Sequence, residues 1–136
     1  MIERVQGDVF TFVRKKICEV GREANVYIPG PTGNKPDYSK WNITEDSSIE
    51  MTTSSMEDSP DKKTIARVGI EIISPIFCID DSSWMNEGKA VLTKLNELNW
   101  KPNRSTGLHV HVGIEGRKFT LEEVKAVAKY VIIFEG

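Results

Sequence analysis

Apolar residues recur at helical spacing near both ends of this chain and alternate through its middle. Val9, Phe10, Val13, Ile17 and Val20 fall on one face, with Arg14, Lys15, Lys16 and Glu19 between them. Gly21 follows as a stop, so the pattern predicts a helix over 9–20. Val26-Tyr27-Ile28 reads as a short strand, and Pro29 to Asn34 as a loop by composition. Trp41-Asn42-Ile43 opens a second extended segment. Between Ile65 and Pro75, Val68, Ile70 and Ile72 alternate to one face of a strand; Arg67, Gly69, Glu71 and Ile73 take the other. The polar stretch 54–63, which contains Pro60 and shows no period, reads as an exposed loop joining strands.

From about Ser83 to Leu98, Trp84, Gly88, Val91, Leu92, Leu95 and Leu98 trace one helical face. A final helix carries the clearest start signal. Thr120 and Glu123 form a capping box, and Phe119 with Val124 a hydrophobic staple. Leu121, Val124, Val127, Ala128, Val131 and Phe134 mark its buried face. Between these two helices, Gly107-Leu108-His109-Val110-His111-Val112-Gly113 reads as a strand. Leu108, Val110, Val112 and Ile114 point one way; His109 and His111 point the other, with Cα atoms roughly 6.5–7 Å apart. Short links near Val26 and Trp41 suggest hairpin pairing, so the expected class is an α+β domain with a mainly antiparallel sheet.

Length narrows this to one domain, residues 1–136, or a piece of one. A hydrophobic fraction of 39% with three Trp is enough for a core. Net charge is −2 and the charges are interspersed, and Arg14-Lys15-Lys16 would fan around a helix, so neither composition nor pattern points to nucleic acid. The longest apolar run, Tyr130 to Phe134, is far too short to cross a bilayer, and the first residues show no signal-peptide core. Cys18 and Cys78 match no zinc or redox spacing and read as buried thiols in a reducing, cytoplasmic setting.

Two groups carry candidate chemistry. Glu71 is the one carboxylate of its apolar strand; it is either a solvent-facing residue of a half-exposed strand or a site group with a cation beside it. His109 and His111, the only histidines, are either surface residues or imidazoles that bind metal or hydrogen-bond beside phosphate. Asn103-Arg104-Ser105-Thr106-Gly107 runs directly into them and reads as either an ordinary turn or an anion-binding one.

Trp41-Asn42-Ile43 with Asp46 and Ser48-Ile49, then Gly69-Ile70-Glu71-Ile72-Ile73-Ser74-Pro75, then Asn103 to Val112, resemble in their order the amidoligases found widely in fungi. Phe119-Thr120-Leu121 and the helix end Phe134-Glu135 also fit, so the resemblance covers about residues 9–135. It implies a glutamine synthetase-like antiparallel sheet flanked by helices, akin to glutamate–cysteine ligase. The implied reaction is ATP-dependent: a carboxylate becomes an acyl phosphate, and an amine displaces the phosphate to give an amide. Mg²⁺ or Mn²⁺ is the implied metal. Carried over residue by residue, Glu71 and His109 are metal ligands and catalytic groups. His111 contacts nucleotide phosphate, with Arg104, Ser105 and Thr106 beside it. Asp46 and Ser48 lie near the substrate, and Glu135 is a weaker match.

The chain departs from the family pattern at both ends. A strand of the type G-x-E-x-E is expected before residue 9, and arginine-bearing segments after residue 136. The expectation is therefore an incomplete ligase domain, with small-molecule or peptide carboxylate and amine substrates and an open oligomeric state. The alternatives are a non-catalytic remnant that binds nucleotide or a partner, and an unrelated metalloprotein built on the histidine pair.

Overall fold

The computed structural model describes residues 2–28, 35–50, 68–98, 100 and 102–134. Among them are helices α1 (Ile2–Glu19), α2 (Ser83–Asn96) and α3 (Leu121–Phe134). The strands are β1 (Ala24–Val26), β2 (Trp41–Glu45) and β3 (Ile70–Ile73). This is an α+β arrangement. The chain forms two compact units, Met1–Thr106 and Gly107–Gly136. The loops expected at 29–34 and 54–63, the start of the third strand at Ile65 to Arg67, and Glu135 all lie outside the described residues.

In the first unit the sheet order is β1-β2-β3. β2 and β3 pair antiparallel, with Asn42 opposite Ile73 and Thr44 opposite Glu71. β1 and β2 pair parallel, Ala24 with Trp41 and Val26 with Ile43, so the sheet is mixed and the expected hairpin is absent. The reason is length. Residues 27–40 separate the two strands, and a link of about a dozen residues or more is what a parallel crossover needs.

Side-chain alternation splits β2. Trp41 and Ile43 face the helices, where they are buried with Phe10, Val13 and Ile17 of α1, Ala24 of β1, and Val91 and Leu95 of α2. Ile70 and Ile72 pack against this core from β3. The α1 stripe is the one the spacing predicts, but the helix begins seven residues earlier, because no proline interrupts Ile2 to Asp8. It stops at Gly21, whose φ of +75° is the left-handed conformation that glycine adopts freely. On α2 only Val91 and Leu95 are fully buried; Leu92 is largely exposed. Cys18 and Cys78 are free and exposed, contrary to the expected burial: Cys18 lies off the Phe10, Val13 and Ile17 stripe of α1, and Cys78 lies in an irregular segment with no buried residue.

In the second unit the capping box forms as expected. Thr120 N–H donates to Glu123 Oε2 at 2.8 Å, and Glu123 N–H donates to Thr120 Oγ1 at 3.3 Å. Arg117 grips the same carboxylate with two bonds, 2.7 and 2.8 Å long. Arg117, followed by the Thr120 bonds, pulls the Glu123 carboxyl down from 4.5 to about 2. Two expectations fail here. No residue of α3 is buried, and residues 107–113 form no strand. A strand needs a ladder, and the pairing described in this unit is one bridge, Ile114 to Arg117, around Gly116. A helix likewise buries a face only against a second layer.

Candidate functional site

The sheet face turned away from the helices gathers polar groups. Alternation from Trp41 and Ile43 puts Asn42 and Thr44 there, and the register adds Asn25, Glu71 and Ile73. Glu71 is exposed. Thr44, directly opposite it, is 3% exposed, and its Oγ1 is the only buried side-chain oxygen or nitrogen without a hydrogen-bond partner among the described residues. Asn42 is also buried, and its amide NH2 donates to the Asp37 and Lys40 carbonyls, each at 2.9 Å. Neither Asn42 nor Thr44 stands out in the sequence. The available signal is the alternation of Trp41-Asn42-Ile43-Thr44-Glu45, which places two polar residues on one face of a well-buried strand.

Asp46 and Ser48 follow β2 directly. Ser48 N–H and Oγ–H both donate to Asp46 Oδ1, at 2.9 and 2.6 Å, closing a tight polar turn. Asp46 N–H donates to the Gly69 carbonyl at 3.1 Å. The strands approach so closely here that a Cβ on Gly69 would collide with the Asp46 carbonyl oxygen.

The 46–50 segment is clasped in turn by the turn that precedes the histidines. Glu50 N–H donates to Ser105 Oγ at 2.8 Å, and Asn103 Nδ2 donates to the Glu50 carbonyl at 2.7 Å. Inside the turn, Ser105 N–H and Oγ–H reach Asn103 Oδ1, and Thr106 Oγ1 donates to the Asn103 carbonyl. The Ser105 and Thr106 hydroxyls are thus engaged in holding the turn, and Arg104 is exposed on it.

His109 and His111 belong to the second unit and are exposed. The His109 ring lies back toward Gly107, where an added Cβ would sit 3.3 Å from Nε2. The in-and-out alternation expected of a strand does not apply to them, because no strand forms.

A shallow cavity of about 360 Å³ in the first unit is lined by Trp41 and Lys40 but by none of Asp46, Ser48, Glu71, Arg104, Ser105, Thr106 or the histidines. Its charges are matched within it. Glu87 accepts from Trp41 Nε1 at 2.9 Å and pairs with Arg22 at 3.2 Å, and Lys40 pairs with Glu23 at 2.8 Å. Glu23 holds the Lys40 ammonium above its usual range. The Glu87 contacts brace the sheet end on α2, and the Lys40–Glu23 pair ties together the residues that precede β2 and β1.

Residues 9–136 match the model of the family described as "Putative amidoligase enzyme". The chain belongs to this amidoligase family. No curated protein and no solved structure matches it. In this amidoligase-family chain, no group of three or more His, Cys, Asp or Glu side chains converges among the described residues. The exposed Glu71 carboxylate is a single hard-oxygen donor, the kind Mg²⁺ or Mn²⁺ takes, while the Thr44 hydroxyl across from it is sealed from solvent.

Proposed function

We propose that this chain takes part in ATP-dependent carboxylate–amine ligation. A substrate carboxylate oxygen attacks the γ-phosphorus of ATP, ADP leaves, and an acyl phosphate forms. An amine then attacks the acyl carbon and releases phosphate, leaving an amide. The observation that carries this reading is the family match over residues 9–136. The polar face with Glu71 supports it, as do the two histidines. A divalent cation would supply charge neutralisation at the phosphates.

Within this reading Glu71, in the first unit, and His109, in the second, each act as a metal ligand, and His111 contacts nucleotide phosphate. Arg104 supplies the cationic group of its turn, while Ser105 and Thr106 fix the turn's shape. Asp46 and Ser48 form a polar turn on the substrate side of β2. The substrates are a small-molecule or peptide carboxylate and an amine, and the setting is cytoplasmic.

The test is ADP release from Mg²⁺·ATP with pooled carboxylates and amines. Glu71→Gln and His109→Ala are each expected to lower turnover at least 100-fold. Turnover that survives either change overturns that residue's role. ATP binding without ADP release under any substrate pool would instead identify a non-catalytic nucleotide-binding descendant.

A further inference from the structure

The shallow cavity at the sheet end is lined by two cations, Arg22 and Lys40, and two carboxylates, Glu23 and Glu87, and the four are not held equally. Glu87 is fixed. Its side chain is 20% exposed, and Oε1 accepts from the buried Trp41 indole at 2.9 Å. Glu23 is not fixed. Its side chain is 77% exposed, and its contact is Lys40 Nζ at 2.8 Å. An exposed pair of this kind costs little to part. Arg22 meets Glu87 through Nε at 3.2 Å, and its guanidinium makes no hydrogen bond among the described residues. Its fork of N–H donors therefore has capacity left for a ligand. Trp41 N–H donates to the Glu23 carbonyl at 3.1 Å, carrying the parallel ladder one step past β1. That step sets Lys40 beside Glu23, with Arg22 next along the chain.

Once Glu23 turns out to solvent, Arg22 and Lys40 face Glu87 alone, and the sum is one positive charge. That balance matches a single carboxylate and not a dianionic phosphate. We infer that this cavity binds a monocarboxylate, its oxygens on the Arg22 fork and the Lys40 ammonium, where it takes the place of Glu23. Guanidinium offers a planar carboxylate two parallel hydrogen bonds, and the lysine adds a point charge. A volume of about 360 Å³ admits a small acid or the last residues of a peptide, and both present the same group. The inference does not depend on the ligation reading, since neither Glu71, Asp46 nor Ser48 lines this cavity.

The experiment follows the backbone amides of 21–23 and 40–41 by NMR on the full chain at pH 8 and constant ionic strength. The probes are propionate, N-acetyl-triglycine, inorganic phosphate and uncharged propionamide. At least one of the two acids is expected to shift these amides with a Kd on the order of 1 mM, and the tighter of the two identifies the source as a free acid or a peptide C-terminus. Arg22→Ala should weaken binding about ten-fold, and Arg22→Lys, which keeps the charge without the fork, about three-fold. Glu23→Gln removes the competing carboxylate and should tighten binding about two-fold. Lys118→Ala, in the second unit, should leave it within about two-fold of the parent. Should Arg22→Ala fail to fold, Arg22→Gln provides the same readout. Shifts that are absent with both acids, that propionamide reproduces, or that survive loss of the Arg22 guanidinium overturn the inference. Phosphate binding more tightly than either acid also overturns it.

Discussion

Asn42 occupies one of the most buried positions in the molecule and uses its amide to satisfy two carbonyls of the 37–40 turn. Asn42→Ala would leave both acceptors without that donor and is expected to cost about 2–3 kcal/mol. Asn42→Asp should cost more, since a carboxylate oxygen would face the same carbonyls. Urea denaturation of the two variants checks the order. Equal stabilities would show that the amide is not what holds the turn. Glu71 presents the opposite case. Its side chain is exposed, so Glu71→Gln should leave the unfolding free energy from urea denaturation within about 0.5 kcal/mol of the parent while affecting ligand binding. That separation lets a functional effect at Glu71 be read without a folding correction.

Among the elements, α3 has the most specific local wiring. The Glu123 carboxyl is held at about 2, first by Arg117 and then by Thr120. A depressed carboxyl stabilises the folded form at pH above its ordinary value of 4.5, and the benefit disappears as pH falls from there towards 2. Carboxyl NMR should give Glu123 a midpoint near 2, and Arg117→Ala should move it back towards 4.5. A midpoint near 4.5 in the parent chain would show that the Arg117 fork is not formed in solution. The clasp between the 46–50 segment and the 103–106 turn makes a second prediction. Asn103→Ala removes the donor to Glu50 and the acceptor for Ser105, so amide exchange at Glu50 and Ser105 should quicken about ten-fold, with core amides of α1 unchanged. The capping box and the α1 stripe were legible in the sequence because both are local. The clasp was not, since it joins Glu50 to residues more than fifty positions away and uses ordinary turn chemistry at each end.

At the scale of the whole molecule, the α+β class and the buried face of α1 were readable in the sequence, but the antiparallel partner of the Trp41 segment was not, since the short links pointed to a hairpin near Val26. Alternation failed over Leu108 to Val112, which has the composition of a strand but no ladder partner in its unit. The same difference explains α3: its apolar positions follow the helical period, but periodicity shows only which residues share a face, and burial requires a second layer. The exposed Leu108 peptide is therefore a target for chymotrypsin, and brief digestion should yield a fragment beginning at His109. If His109 ligates metal, Mn²⁺ should slow this cleavage in the parent and not in His109→Ala. Equal rates with and without Mn²⁺ would remove His109 from the ligand set.

The contact between Gly69 and Asp46 acts as an alignment key for the antiparallel pair. A slip of one residue would turn Glu71 toward Ile43 and the helices, burying a carboxylate in an apolar layer. It would also bring a side-chain-bearing neighbour to the spot where only a hydrogen atom fits. Gly69→Ala is expected to lower Tm by more than 5 °C and to shift the nuclear Overhauser contacts between β2 and β3. One residue without a side chain thus keeps the carboxylate of the next turn of the pleat on the polar side of the sheet.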